Sequence, residues 1–299
     1  MADIVIGIPT FQRPDLLRKL LSSLVNEVNH SVWLVVADNG CSADTEAVVK
    51  AFAAEFPRCF YVPIPERGLA PVRNGLVRAV TEIVPNWRWL AMLDDDGYVS
   101  EGWLANLIAC GESLDAHLVG GPVEGVLPDG ANILARNSIF ARRRRWKTGL
   151  VESLNTTQNL LISRTLLEVA PEPLFRNEYS ASGGEDYDLF RRVRKAGGRI
   201  AWCDEAVVFE PTPESRLSPS RVLSRYYTTG IYMSQIDRFY DGTGKTCTTA
   251  LKGFAASLLR TIGAGFRRDS NGAAQGMLST AHYAGRAVGL LGGRAARYT

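Results

Sequence analysis

The chain has 299 residues, of which 46% are hydrophobic and 22% charged, and its 34 Lys and Arg against 31 Asp and Glu give a net charge of +3. This composition excludes a disordered, collagenous or coiled-coil chain and fits one large or two modest globular domains. The mean charge gives no reason to expect a nucleic-acid partner.

The first 120 residues alternate between short apolar runs, which are typical of strands, and segments with apolar residues at helical spacing. The predicted strands lie at 4–8, 32–37, 60–62, 87–93 and 118–119, and the predicted helices at 14–24, 43–56, 70–83 and 102–115. This alternation predicts a mostly parallel α/β sheet that is covered on both faces. Ligands bind beyond the carboxyl ends of such strands, so Pro9, Thr10, Asp38, Asn39 and the run Asp94-Asp95-Asp96 are expected along one edge.

The pattern is less regular from 121 to about 212. The sequence predicts strands at 159–163, 200–203 and 206–209, and a helix that opens at Gly183-Gly184-Glu185-Asp186 and continues through Lys195. A bend rich in proline then leads into a helical tail from about 219.

The five cysteines are scattered singly, which is typical of reduced thiols in a cytosolic protein. The start of the chain has no basic segment before its apolar run and predicts a strand in place of a signal peptide. No run of 18 apolar residues occurs, so no spanning helix is expected.

Three carboxylates follow the predicted fourth strand at Asp94, Asp95 and Asp96. Alternate residues of an extended segment point to the same side, so Asp94 and Asp96 are candidates to share a divalent cation. The alternative is a solvated acidic turn, and the motif alone leaves both open.

Glu185 and Asp186 follow two glycines at a predicted helix start, where the helix dipole keeps a carboxylate ionised. Such a carboxylate is a candidate general base toward a sugar hydroxyl. The alternative is a group of capping residues.

Five motifs occur in order: IPTFQRP at 8–14, VADNG at 36–40, GLAPVRNG at 68–75, LDDD at 93–96 and GGEDYD at 183–188. In this order and spacing they resemble the family 2 inverting glycosyltransferases, and most closely the bacterial branch that builds exopolysaccharides of the succinoglycan type. The resemblance covers roughly residues 3–215. It implies a GT-A fold, in which a nucleotide-sugar-binding half (1–120) is joined to an acceptor-binding and catalytic half (121–215).

The resemblance also implies roles for individual residues. Pro9, Thr10 and Asp38 match the family's base and ribose contacts, and Arg73 and Asn74 match a second nucleotide contact region. Asp94 and Asp96 match the metal-binding motif for Mn²⁺ or Mg²⁺, and Asp95 is expected to face the ribose or donor sugar. Asp186 matches the catalytic base and Glu185 its supporting acid. Where many relatives have a metal-binding His, this chain has Glu210, which is a candidate third metal ligand or acceptor contact.

Residues 242–299 contain eight basic residues and one acid, a charge of +7, so the remaining 241 residues carry −4. An apolar stripe at helical spacing comprises Leu251, Phe254, Ala255, Leu258, Leu259 and Ile262. Basic amphipathic helices are typical of membrane-surface anchors. The alternative is a helical pair packed on the catalytic domain with its charges solvated.

We therefore expect a metal-dependent inverting glycosyltransferase with a helical C-terminal region at 216–299. It would move a sugar from a nucleotide-diphosphate donor, UDP-linked, to a glycan or polyprenyl-diphosphate-linked acceptor at the cytoplasmic face of the inner membrane. Two alternatives stay open: a nucleotidyltransferase on a similar α/β core, and a non-catalytic glycan- or lipid-surface-binding protein. The first strand lacks the glycine-rich phosphate loop of nucleotidyltransferases, and the two acidic clusters argue against the binding protein.

Overall fold

The computed structural model describes residues 3–28, 31–170 and 172–295. Within them the strands are, in chain order, β1 (Asp3–Thr10), β2 (Val32–Asp38), β3 (Cys59–Pro63), β4 (Trp87–Leu93), β5 (Tyr98–Val99), β6 (Leu118–Gly120), β7 (Val123–Val126), β8 (Gly149–Leu150), β9 (Asn159–Ser163), β10 (Ile200–Trp202) and β11 (Val208–Pro211). The α-helices are α1 (Pro14–Leu24), α2 (Ala43–Ala53), α3 (Leu69–Ile83), α4 (Trp103–Ser113), α5 (Ile133–Arg136), α6 (Leu166–Val169), α7 (Glu185–Lys195), α8 (Pro219–Asp241), α9 (Thr243–Phe266) and α10 (Ser270–Leu290). Arg297, one of the basic residues counted above, lies outside the described residues.

Eight strands form the central sheet in the order β3-β2-β1-β4-β9-β6-β10-β8, and a smaller sheet has the order β5-β11-β7. In the central sheet β1 runs parallel to β2 and β4, β2 to β3, and β6 to β10. The sheet is mostly parallel, as predicted, but β9 is antiparallel to both β4 and β6 and β8 is antiparallel to β10. Parallel strands are usually joined by a crossover helix. The chain enters β9 through an irregular segment instead, which allows β9 to run antiparallel to its neighbours.

The central strands are apolar throughout because both faces of the sheet are covered. In β4, Trp89, Ala91 and Leu93 belong to one buried apolar cluster, whereas Leu90 and Met92 belong to the other. The period of two between the clusters is that of an extended strand. This double burial is the reason why the strands can be recognised as continuous apolar runs.

Several element boundaries differ from the sequence prediction by one to three residues, and two of these differences have an identifiable cause. The helix expected at 43–56 ends at Ala53, because Phe56 precedes Pro57 and a residue before proline disfavours the helical conformation. The strand expected at 206–209 is Val208–Pro211 instead. The Ala206 carbonyl accepts a hydrogen bond from Asn159 Nδ2 at 2.7 Å, so a side chain satisfies it in place of a neighbouring strand.

By its internal contacts the chain divides into two compact units, each built from several segments. The first comprises Met1–Val123, Arg144–Asn177 and Asp188–Glu210 and contains the central sheet. The second comprises Glu124–Arg143, Glu178–Tyr187 and Pro211–Thr299 and contains α5 and α8 to α10. The functional regions at 1–120, 121–215 and 216–299 stay a prediction.

The helical tail predicted from about 219 consists of α8, α9 and α10, which pack together through small residues. A Cβ at Gly230 of α8 would collide with the carbonyl oxygen of His282 in α10. Between α9 and α10, Thr280 Oγ1 donates to Ser257 Oγ at 3.1 Å. Glycines that lower helix propensity therefore allow these helices to approach closely. Among the described residues, no helix combines the length and the apolar character needed to span a bilayer.

Candidate active site

The three carboxylates after β4 lie in a turn at the carboxyl end of that strand. Asp95 is buried, with 4% exposure, and accepts hydrogen bonds from Thr10 Oγ1 at 2.6 Å and from Arg13 Nη1 at 3.2 Å. The same Arg13 nitrogen lies 3.2 Å from Asp96 Oδ2. Asp94 Oδ1 lies 3.6 Å from Arg73 Nη2.

The structure gives the carboxylates of this turn different partners. The strand ends at Leu93, and the three acidic residues follow it in the turn. Arg13 connects Asp95 and Asp96, while Asp94 pairs with Arg73. A cation shared by Asp94 and Asp96 stays a prediction. The two arginines give this acidic turn internal counter-ions.

The acidic turn nevertheless keeps an excess of negative charge. Burial and the charges of Asp95 and Glu210 raise the pKa of Asp94 above its ordinary value, against the opposing effects of Arg73 and Arg13. Burial also raises the pKa of Asp95, opposed by its hydrogen bonds. Although burial by itself lowers the pKa of Arg13, the charges of Asp95 and Asp96 raise it overall. A cation bound to the turn would relieve this repulsion.

The candidate metal ligands fit a hard divalent cation. Asp94 and Glu210 influence each other electrostatically, and Glu210 is buried and accepts a hydrogen bond from Gln158 Nε2 at 3.2 Å. In the part of the chain that the structure describes, no three His, Cys, Asp or Glu side chains are grouped closely enough to hold a metal by themselves. Mg²⁺ usually takes only one or two protein carboxylates and completes its shell with water and substrate phosphate. Asp94, Asp96 and Glu210 supply oxygen ligands of the type that such a cation prefers, and the metal stays a prediction.

The register of β1 and β2 brings two further candidates to the same edge of the sheet. Pro9 lies opposite Ala37, and Thr10 lies opposite Asp38, at the carboxyl ends of two parallel strands. The Asp38 carboxylate is fully buried and accepts hydrogen bonds from the backbone N–H groups of Gly40 and Ser42, both at 2.7 Å.

Two further residues support this edge: Asn39, which the sequence placed there, and Tyr61, which it did not. Tyr61 Oη donates to Asp38 Oδ2 at 3.0 Å, and burial together with this carboxylate raises the pKa of Tyr61. The Asn39 side chain donates to the carbonyls of Ile64 at 2.9 Å and Glu66 at 2.6 Å and accepts from the Gly68 N–H at 2.9 Å. Asn39 thus fixes the loop that leads into α3.

Arg73 and Asn74 lie in the first half of α3. Asn74 forms two hydrogen bonds with the backbone of Phe175, at 2.7 Å to its carbonyl and 3.0 Å from its N–H. The guanidinium of Arg73 lies over the Phe175 ring, 5.6 Å from its centroid. Both residues therefore hold Phe175 against α3. Arg73 also pairs with Asp94.

Glu185 and Asp186 are the first two residues of α7 and belong to the second unit. They follow Gly183 and Gly184, whose φ values of 78° and 103° require glycine. Glu185 is buried, with 3% exposure, whereas Asp186 is partly exposed and accepts a hydrogen bond from the Tyr187 N–H at 2.7 Å. A partly exposed carboxylate at a helix start has the ionisation and access that a general base requires.

Sequence reasoning placed Asn39 at this edge without a role, and it did not assign Arg13, Tyr61 or Gln158 to the site. A signal was available for Arg13, because it lies inside the motif IPTFQRP. Arg13 reaches Asp95 across 82 positions of sequence, a contact that no local spacing reveals. Tyr61 and Gln158 carry no local signal.

Comparisons with known proteins identify related sequences and folds. The model of the family described as "Glycosyl transferase family 2" matches residues 5–169. The succinoglycan biosynthesis protein ExoM of Rhizobium meliloti (strain 1021) is 31% identical over 231 residues, which cover 76% of this chain and 72% of that protein. Among solved structures, S. aureus TarS 1–349 in complex with UDP-GlcNAc has a TM-score of 0.52 at 14% identity, covering 93% of this chain and 91% of that chain. Another S. aureus TarS structure has a TM-score of 0.54 at 13% identity, covering 93% and 55%. At these identities the TarS structures show a shared fold.

Proposed function

The chain belongs to glycosyltransferase family 2, and from this premise we propose that it transfers a sugar, with inversion, from a UDP-linked donor to a hydroxyl of a glycan acceptor. The expected GT-A fold is confirmed by the family match and the likeness of fold. The observation that carries the proposal is the acidic turn at Asp94–Asp96, which lies at the carboxyl edge of the sheet with one buried and two partly buried carboxylates that repel one another.

The donor would bind along this edge of the first unit. We assign Pro9, Thr10 and Asp38 to the nucleoside, and Arg73 and Asn74 to a second nucleotide contact. The UDP-sugar class is supported by the TarS structure, whose bound molecule is UDP-GlcNAc. Asp95 is the candidate contact to the ribose or donor sugar. Thr10 and Arg13 already donate hydrogen bonds to its two carboxylate oxygens, so any such contact would share these oxygens with them.

Mn²⁺ or Mg²⁺ would be held by Asp94 and Asp96, with Glu210 as the third candidate ligand. The metal, when bound, would neutralise charge on the leaving nucleoside diphosphate. The chain's own contribution is the pair Arg73 and Arg13, whose positive charges oppose the rise in the pKa of Asp94.

Asp186 would accept the proton of the acceptor hydroxyl as that oxygen attacks the anomeric carbon. The bond to the nucleoside diphosphate breaks in the same step, which inverts the anomeric configuration and requires one base and no covalent intermediate. Glu185, which is buried and precedes Asp186 in the sequence, would support this base.

The acceptor class rests on the relative whose name specifies succinoglycan biosynthesis. We propose a glycan acceptor of an exopolysaccharide, linked to a polyprenyl diphosphate at the cytoplasmic face of the inner membrane. The chain would then be a cytoplasmic enzyme that is peripheral on that face.

The outer face of α9 supports membrane association. It presents Leu251, Leu259 and Phe266 with 68%, 70% and 87% exposure, and Phe254, Leu258 and Ile262 are also exposed. The apolar stripe is therefore not the packing face of the helix, which is made by small buried residues such as Ala250, Ser257 and Ala264.

Basic residues complement this apolar face. Lys245, Lys252, Arg260 and Arg267 recur every seven or eight residues along α9, about two helical turns apart, and all are exposed. The helix contains no acid. Apolar side chains beside a row of cations suit the surface of an anionic bilayer.

The decisive experiment incubates the full-length protein with a panel of nucleotide sugars, Mn²⁺ or Mg²⁺, and a glycan acceptor. We expect Asp94→Ala or Asp96→Ala to abolish metal-dependent donor binding, and Asp186→Asn to spare donor binding and eliminate transfer. Asp129→Asn is the matched control, since Asp129 is an exposed carboxylate outside the site. NMR of the product reports whether the anomeric configuration is inverted.

Three results would contradict the proposal. Near-normal turnover by Asp186→Asn would exclude Asp186 as the base. Release of pyrophosphate in place of UDP would indicate a nucleotidyltransferase. Failure to bind or cleave any donor while a glycan binds would indicate a non-catalytic binding protein.

A further inference from the structure

A buried polar chain follows the proposed base in the sequence and lies outside every role assigned above. Tyr187 Oη donates to Asp237 Oδ1 of α8 at 2.6 Å. Arg286 Nη2 of α10 donates to Asp237 Oδ2 at 2.5 Å. Asp237 and Arg286 are 9% and 4% exposed, so both charges are largely removed from water. Tyr187, the residue after Asp186, is thus hydrogen-bonded to α8 and, through Asp237, connected to α10.

Gly184, which precedes Glu185 and Asp186, packs closely against α8. Gly184 has φ +103°, and a Cβ there would lie 2.6 Å from Tyr232 Cδ2 and 3.0 Å from Ile236 Cδ1. Tyr232, Ile236 and Asp237 are spaced four and one residues apart in α8 and so lie on adjoining turns. The residues on both sides of Glu185–Asp186 therefore contact one stretch of α8, Gly184 by close packing and Tyr187 by a hydrogen bond.

Fold stability alone does not account for this buried pair. Removing two charges from water costs several kcal/mol per ion, and apolar residues of similar volume are often equally stabilising. What the pair provides is direction, because a carboxylate held by an arginine presents its other oxygen to Tyr187 in one orientation. A fixed Tyr187 in the first turn of α7 fixes the backbone from which Asp186 projects.

We propose that Asp237 and Arg286 are positioning residues, which act through Tyr187 to hold the Asp186 carboxylate in the orientation needed for proton transfer. This inference rests on the proposed function, in which Asp186 is the base. It gives α8 and α10 a role in catalysis that is separate from the outer face of α9. A soluble acceptor would reveal this role without any membrane.

The test uses the full-length chain with a soluble acceptor and compares Tyr187→Phe, Asp237→Asn and Arg286→Lys. Misplacing a catalytic group by about 1 Å can lower the rate about 10²-fold, so we expect Tyr187→Phe and Asp237→Asn to lower kcat by about that factor. The donor KM should stay unchanged, because the donor contacts lie in other residues. Arg286→Lys retains the positive charge, so its kcat should lie between that of the wild type and that of Asp237→Asn.

Two features separate positioning from a general loss of structure. The double variant Tyr187→Phe/Asp237→Asn should be no slower than the slower single variant, because both changes break the same chain of hydrogen bonds. Tyr283→Phe is the matched control: its hydroxyl lacks a hydrogen-bond partner among the described residues, and kcat should not change.

The outcomes distinguish this inference from the function on which it rests. If Asp186→Asn retains transfer, the proposed base is wrong. If Asp186→Asn is inactive while Tyr187→Phe and Asp237→Asn keep the wild-type kcat, the positioning role is wrong and the base stands. If Asp237→Asn does not fold, Tyr187→Phe alone decides, since it removes one oxygen; a wild-type kcat in that variant overturns the inference.

Discussion

Replacing Leu259 and Phe266 with serine tests the exposed face of α9 quantitatively. Complete burial of a large apolar side chain contributes about 1.5–3 kcal/mol. Leu259 and Phe266 are 70% and 87% exposed, so inserting both into a bilayer would contribute about 2–5 kcal/mol. At 1.4 kcal/mol per tenfold change, the double variant should partition onto vesicles about 30-fold to several thousand-fold more weakly.

The folded chain should tolerate these changes, because neither side chain is buried. Leu259→Ser should lower the free energy of unfolding by only about 0.5 kcal/mol through helix propensity. Leu150→Ser is the matched control, since Leu150 is an exposed leucine in β8, and it should leave vesicle binding unchanged.

The assay is co-sedimentation of the full-length protein with vesicles that contain an anionic lipid and with purely zwitterionic vesicles, at low and high ionic strength. We expect binding that needs the anionic lipid and weakens with salt. Lys252→Gln and Arg260→Gln should each weaken the free energy of vesicle binding by about 1 kcal/mol. Wild-type protein that stays in the supernatant with anionic vesicles at low salt, or a double variant that binds as tightly as wild type, would refute the membrane assignment of this face.

Three further predictions concern individual contacts. Thr10→Val removes the hydrogen bond to buried Asp95 and should lower the free energy of unfolding by about 1.5–3 kcal/mol, measured by urea denaturation; an unchanged midpoint would contradict it. Asp38→Asn cannot accept both backbone hydrogen bonds as the carboxylate does, so we expect weaker UDP binding by calorimetry and lower stability, and equal UDP affinity would show that this turn does not shape the nucleotide site. Burial and the Arg286 charge lower the pKa of His282 to about 4, so between that pH and its ordinary pKa of about 6.5 the unfolded state binds a proton that the native state lacks. Stability should therefore fall by about 3 kcal/mol as the pH drops through this window, and His282→Gln should flatten that part of the stability curve; an equal slope in both proteins would contradict the assignment.

Much of the fold could be predicted because the interactions that define its elements are local. The strands at 87–93 and 159–163 have the predicted bounds, since residues buried on both faces form uninterrupted apolar runs. The start of α8 at Pro219 was also predicted correctly, because proline fits the first turn of a helix. The boundary at Ala206 was predicted wrongly because a distant group intervened: its carbonyl is satisfied by Asn159.

The motifs identified the family because their order along the chain is itself information. The site residues drawn from those motifs stay predictions, but the structure places Thr10, Asp38 and the acidic turn at the carboxyl ends of neighbouring parallel strands. Parallel strands end at the same edge of a sheet, so this proximity follows from topology. The contacts of each carboxylate did not follow from it.

The sequence by itself determined most of the longer secondary elements, the α/β class and the family, because apolar periodicity, turn chemistry and motif order are encoded in neighbouring residues. Only the tertiary structure decided that Arg13 connects Asp95 with Asp96, that β9 runs antiparallel, and that Tyr187 is tied to Asp237 across 50 positions. It also decided that the apolar stripe of α9 faces outward while smaller residues make the helix contacts. Amphipathic spacing shows that a helix has two faces, but only packing against α10 shows which face is buried.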